Sequence, residues 1–156
     1  MPTQTIVTVP SSTVIGVTAR TTNRAEADPS TARIPALWRR FFEIEPAIPN
    51  RTDPNVVIAA YTAYESDHTG EYSLVVGAEV NSPAEVPEGL VRVILPSARY
   101  LVFTAEGAMP DALIRTWMDI WRYFSEAALH RRAYTTDFER YDKRQPARAD
   151  VYVAID

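Results

Sequence analysis

Apolar and polar positions along this chain change period several times, and each change marks an element. From Ile6 to Thr21, IVTVPSSTVIGVTART alternates Val, Ile and Thr with small polar residues, which predicts a strand bent at Pro10–Ser11–Ser12. TNRAEADPS reads as loop. From about Ala32, Ile34, Leu37, Trp38, Phe41 and Phe42 recur at helical spacing, with Arg33, Arg39, Arg40 and Glu43 elsewhere round the helix. Pro46 and Pro49 close it. VVIAAYTAYE and EYSLVVGAEV return to the strand pattern, and SDHTG between them makes the pair a hairpin. NSPAEVPEG is a connector by composition. VRVILPSARYLVFTAEG then predicts strand, Pro-Ser bend and strand. After Ala108, a second helix carries the stripe Leu113, Trp117, Ile120, Trp121 and Phe124, extended by Ala128. Pro110 suits its first turn and Asp111 complements the positive end of its dipole. AYTTDFERYD, Ala133 to Asp142, and DVYVAID supply the last two strands.

The pattern repeats. Val9-Pro10-Ser11 answers Leu95-Pro96-Ser97, and LWRRFFE from Leu37 answers IWRYFSE from Ile120. AYTAYES from Ala60 answers AYTTDFER from Ala133, so that Tyr64–Glu65 corresponds to Phe138–Glu139 after a small insertion. Three matches in one order predict a duplicated strand–helix–strand–strand unit. One such unit has a single helix and too few strands to cover both faces of a sheet. Two docked side by side can join their strands and lay both helices on the same sheet. The expected fold is therefore α+β: tandem βαββ units forming one antiparallel sheet, with two helices and a cleft at the pseudo-twofold seam. Residues 1–156 make one domain, with repeat one at about 1–80, a connector at about 81–89 and repeat two at about 90–156.

Composition narrows the function. With 46% hydrophobic and 23% charged residues, the chain fits a soluble globular protein. No apolar run approaches the ~20 residues a membrane span needs, and MPTQTIVTVP lacks the pattern of a signal peptide, so a cytoplasmic site is the default. The absence of cysteine removes disulfides, thiolate nucleophiles and Cys-based metal centres. At a net charge of −4, basic residues are scattered apart from Arg39–Arg40 and His130–Arg131–Arg132, and direct nucleic-acid binding is not expected. There is no Gly-rich phosphate loop and no G-x-S-x-G elbow. His68, in a hairpin turn, and His130, after a helix, are not at metal-ligand spacing. No metal or cofactor is expected, and a Ser-His-acid hydrolase is disfavoured.

One acid stands out. In TTDFERYD the alternation puts Asp137, Glu139 and Tyr141 on one face of a strand, with Thr136, Phe138 and Arg140 on the other. Glu139 could lie on a solvated face beside a Lys or Arg, contributing little, or be held in a core salt bridge. It could also sit at the bottom of an aromatic-lined groove, where a carboxylate is expensive to desolvate and tends to lack a partner until a cation arrives. Its counterpart Glu65 opens the acidic turn run Glu65-Ser66-Asp67 and reads as exposed. Trp38 and Trp121 hold corresponding helical positions, and Trp117 lies one turn before Trp121. These rings fit equally as core and as walls for a flat ligand, with cation–π attraction of ~0.5–2 kcal/mol each. Tyr61, Tyr64, Tyr72, Tyr100 and Tyr141, all in or beside expected strands, add amphipathic surface.

IPALWRRFF, YESDHTGEYSLVVGAEV, VPEGLVRVILPSARYLVF, the helix with WMDIWRYF, and YTTDFERYD with VYVAI together resemble the GyrI-like effector-binding domain family. The family includes the ligand-binding halves of AraC-type and MerR-type multidrug regulators and stand-alone members, some on integron cassettes. The resemblance implies a tandem βαββ fold and a buried glutamate, matched here by Glu139, that receives cationic aromatic compounds. By position in the repeat it implies Trp38, Trp121, Tyr64 and Tyr72 as cleft aromatics. No DNA-binding domain is expected within this sequence, so a transcriptional role would need a partner or be absent. Three functions remain open: a binding module for cationic aromatic small molecules, a hydrolase that opens reactive cyclopropanes with Glu139, as some family members do, and a protein that interacts with gyrase or a regulator.

Overall fold

The strand-period segments form β1 (Gln4–Val9), β2 (Ser12–Thr21), β3 (Val56–Thr62), β4 (Tyr72–Val80), β5 (Val91–Leu95), β6 (Ala98–Glu106), β7 (Thr136–Asp142) and β8 (Arg148–Ile155) in a computed structural model that describes residues 4–81, 85–126 and 128–156. They join in one curled antiparallel sheet of order β1-β6-β8-β7-β3-β4-β2-β5. The helices are α1 (Asn23–Glu26), α2 (Ile34–Ile44), continued by a 3-10 turn at Glu45–Ala47, and α3 (Asp111–Ser125). The fold is α+β, and its strand order reads the same way from either end once the halves are exchanged. No helix among the described residues is long and apolar enough to cross a membrane.

Four sequence expectations are corrected in detail. The strand expected from Ile6 to Thr21 is two strands that travel to opposite ends of the sheet: β1 pairs with β6, while β2 lies between β4 and β5. Pro10 has no N–H to extend a ladder, so the chain changes partner there. Pro96 does the same between β5 and β6, and each half thereby places its first strand against the other half. The segment expected as loop contains α1, begun where Thr22 Oγ1 accepts from Ala25 N at 3.0 Å. Pro110 stands at the N-cap of α3 rather than in its first turn. The strand expected from Ala133 starts at Thr136, because Tyr134 has a left-handed φ of 53° that breaks the extended run. Within the expected connector at 81–89, residues 82–84, Pro83 among them, lie outside the described ones.

Period two divides each strand between the sheet's faces. On one face Leu37 and Phe41 of α2 pack on Ile15, Val57, Ala59, Leu74 and Val76, and Ile120 of α3 packs on Leu101, Phe103, Val151 and Val153. On the other, Val56, Ile58, Ala60, Tyr100 and Phe138 form a cluster with Val7, Val9, Val91 and Val93 from the two end strands. Phe138 stacks on Tyr152 there, with ring centroids 4.3 Å apart. Each large apolar side chain buried in these layers contributes about 1.5–3 kcal/mol. α3 sits over β6, and α2 over β2 and β4. The central strands β7 and β3 therefore lie between the helices, and this gap positions the site.

Candidate functional site

Between α2 and α3 lies a cavity of about 900 Å³, with Glu139, Trp38, Trp121, Tyr64 and Tyr72 all in its wall. A chain of rings runs along it. Trp121 lies 6.4 Å from Trp117, Trp117 5.3 Å from Tyr61, Tyr61 5.5 Å from Tyr72, and Tyr72 6.1 Å from Tyr64, centroid to centroid. Trp38 of α2 meets Tyr141 edge-on at 5.2 Å. The rings thus do both tasks the sequence left open: they pack the helices and wall the space between them. His68 stands exposed at the rim, its backbone carbonyl accepting from Asn23 Nδ2 at 2.8 Å. Glu65 is exposed and lies outside the cavity wall.

Glu139 is only 1% exposed. A solvated edge is ruled out, because β7 is a central strand. A core salt bridge is also ruled out, because its partners are neutral: Oε2 accepts from Tyr61 Oη and Trp117 Nε1, each at 2.7 Å, and Oε1 accepts from Tyr141 Oη at 2.6 Å. The expectation of a partnerless carboxylate is corrected too, since three dipoles solvate it in place of water. They do so incompletely. Burial pushes the Glu139 carboxyl above its ordinary value, and the hydrogen bonds from Tyr141, Trp117 and Tyr61 oppose that rise without cancelling it. Burial, reinforced by the Glu139 charge, holds the Tyr61 and Tyr141 hydroxyls well above the ordinary tyrosine range, so both remain donors.

The strands explain how these groups meet. Glu139 is paired with Ala59 of β3, whose single methyl leaves room above it, and Tyr61 is the diagonal neighbour within reach. Tyr141 follows two residues along β7 on the same face. Trp117 descends from α3. Sequence reasoning placed Tyr141 on the correct face and noted Trp117, yet it assigned neither to the acid. Tyr61 was one of several strand tyrosines. The missing information was the β3–β7 register, which no local pattern encodes.

Two residues before Glu139, Asp137 is fully buried and treated very differently. Arg132 Nη2 donates to its Oδ2 at 2.7 Å, Tyr64 Oη donates to the same oxygen at 2.5 Å, and Ala154 N donates to Oδ1 at 2.8 Å. Arg132 belongs to the basic run His130–Arg131–Arg132, which stands out in the sequence from the scattered charges but is given no role there. Of these two acids of β7, Asp137 is neutralised by an internal cation, whereas Glu139 has only neutral donors among the described residues.

Comparison with known proteins agrees with this architecture. An integron cassette protein from the mobile metagenome of Vibrio cholerae superposes with a TM-score of 0.84 at 36% identity, over 98% of this chain and 95% of that one. YobU of Bacillus subtilis (strain 168) is 31% identical over 147 residues, 90% of this chain and 89% of YobU. The transcriptional regulator BrlR of Pseudomonas aeruginosa is 33% identical over 126 residues, 76% of this chain but 45% of BrlR, so the chain matches about half of that regulator. SAV2435, solved with tetraphenylphosphonium bound, shares the fold at a TM-score of 0.75 and 18% identity, over 99% of this chain and 94% of that one. The pattern of the Cass2 family, described as integron-associated effector binding protein, matches residues 5–155, and the chain belongs to that family.

Proposed function

We propose that this protein is a binding module for aromatic cations, with Glu139 as the counter-charge and Trp38, Trp121, Tyr64 and Tyr72 as apolar walls. The observation that carries the reading is a fully buried carboxylate in the wall of a large cavity, held by three neutral donors and, among the described residues, no cation. A carboxylate offers roughly four acceptor positions. Three are taken at Glu139, which leaves one on Oε1. A ligand's positive charge reaching the cavity floor meets this acid in a medium where Coulomb attraction is screened far less than in water. At an effective dielectric of ~20 and a separation of ~6 Å the attraction is about 3 kcal/mol before the ligand's own desolvation. Burial of the ligand's rings adds ~25 cal/mol per Å² whatever its charge. Acid and walls therefore divide the work, the first selecting sign and the second supplying affinity. The fold relative solved with tetraphenylphosphonium supports this choice of ligand chemistry as a starting probe.

Glu139→Gln separates the two contributions. The amide oxygen can take the place of Oε2 beneath Tyr61 and Trp117, while its NH2 faces Tyr141, whose hydroxyl can turn from donor to acceptor. Shape and bonding survive, and the charge is lost. Titration with tetraphenylphosphonium by calorimetry or tryptophan fluorescence should show affinity falling at least tenfold in the variant. Triphenylphosphine oxide, neutral and similarly walled by rings, should change less than about twofold. Equal losses for both compounds would refute the electrostatic role.

A further inference from the structure

We infer that the preferred ligand is bipolar: an aromatic cation that also carries a hydrogen-bond acceptor oxygen at the end away from its charge, received by Arg132. This rests on the reading of Glu139 given above and extends it to the opposite end of the ligand. Arg132 lies in the same cavity wall, and its side chain is 4% exposed. Its guanidinium lies 4.4 Å from the Tyr134 ring centroid and 5.9 Å from those of Tyr64 and Trp117, so aromatic faces enclose it. Nη2 is committed to Asp137, but the buried Nε has no partner among the described residues. An unpaired buried donor on a charged group is destabilising; Nε is itself covered, so an acceptor atom brought by a ligand satisfies it as the guanidinium turns to present it to the cavity.

Spacing and charge define the ligand further. Asp137 and Glu139 are alternate residues of β7, so the arginine-bound acid and the unpaired acid are anchored roughly 7 Å apart along the strand. Trp117 lies between the two ends, donating to Glu139 and flanking Arg132. A rigid ring system laid against Trp117 can hold its cation near Glu139 and an oxygen near Arg132. Asp137 already neutralises the guanidinium, so the recognised group needs lone pairs rather than a negative charge. A carbonyl suits the site as well as a carboxylate.

The test compares naphthamidine, a flat delocalised cation, with forms bearing a carboxamide, a carboxylate or an isosteric isopropenyl group at the far end of the ring system. Binding to the wild-type chain is measured by calorimetry, with naphthamidine itself also titrated against Glu139→Gln. At least one acceptor form should bind about tenfold tighter than naphthamidine, as a hydrogen bond to a charged donor allows, and the isopropenyl form should not. Arg132→Lys, which keeps the charge opposite Asp137 and removes Nε and the planar fork, should abolish the gain, read as the ratio of acceptor form to naphthamidine affinity within the same variant. No gain from either oxygen, an equal gain from isopropenyl, or a gain that persists in Arg132→Lys overturns the inference. The wild-type comparison decides the matter even where Arg132→Lys fails to fold. If naphthamidine binds through Glu139 and the oxygens add nothing, only the bipolar ligand falls. If naphthamidine does not bind, or binds independently of Glu139, the reading of the acid falls with it.

Discussion

Asp137 and Glu139 share a strand, a face and near-complete burial, yet their environments have opposite consequences. Asp137 has an arginine, a phenol and a backbone amide; Glu139 has two phenols and an indole. The first arrangement is closed, because its charges cancel. The second leaves a carboxylate whose pKa is raised by burial above its ordinary value. Cation binding requires the ionised form, so affinity should fall as pH drops through the raised pKa of Glu139. Tyr141→Phe removes the donor on Oε1, and losing a hydrogen bond to the charged form raises the pKa further. The midpoint of cation binding against pH should move upward by about one unit, the equivalent of ~1.4 kcal/mol. Dissociation constants for tetraphenylphosphonium measured across pH in both proteins check this. A downward shift would mean that the phenol does not stabilise the anion.

Among the elements, the paired edge exchange does most to set the architecture. β1 and β5 each leave their own half, turned by Pro10 and Pro96, and the sheet continues across the seam without a gap. Within it, β2 and β4 approach unusually closely where Gly16 faces Gly77. A Cβ on Gly16 would lie 2.1 Å from the Val76 carbonyl oxygen, and one on Gly77 2.2 Å from that of Ile15. Backbone cannot swing aside as a flexible side chain does. Gly16→Ala should therefore destabilise the protein by about 3 kcal/mol, seen as a lowered urea midpoint with little change in slope. These elements were unequally legible in the sequence. Helical spacing in LWRRFF and LIRTWMDIWRYF located α2 and α3, and alternation located the strands and the face on which Glu139 lies. The partner exchange was invisible, since a proline in a Val-rich run reads identically whether the strand bends or splits. The role of Arg132, visible only as part of a short basic run, was hidden for a related reason: it depends on Asp137, which follows the break at Tyr134. Tyr61 became a partner of Glu139 only through a strand contact spanning 78 positions.

For the folded chain, an acid kept in an apolar gap between two helices is a stability liability as well as a receptor. The native state binds the Glu139 proton more tightly than the unfolded chain does, because burial raises the carboxyl above its ordinary value of 4.5. Between that value and the raised one the folded protein holds more protons than the unfolded one, so this group's contribution to stability becomes less favourable as pH rises. Below the unfolded value the contribution vanishes. Glu45, Asp53 and Asp142 behave oppositely: Glu45 is lowered by Lys143 and Arg51 against its burial, and Asp53 and Asp142 by hydrogen bonds that include Arg144. Their stabilising contributions disappear in acid, and they are common to wild type and variant. The difference between Glu139→Gln and wild type isolates the buried acid. The variant should match the wild type near pH 4, then become the more stable protein as pH rises towards 8, by about 1.4 kcal/mol for each unit of pKa elevation. Saturating tetraphenylphosphonium should shift the balance back towards the wild type at pH 8, because a ligand that binds its native state at least tenfold more tightly than the variant's raises its melting temperature further by mass action. Thermal melts across pH, with and without the cation, read both effects. A variant less stable than wild type throughout would show that the three neutral donors more than offset the desolvation of Glu139, and the cavity would then lack the unmet charge that a cation is expected to satisfy.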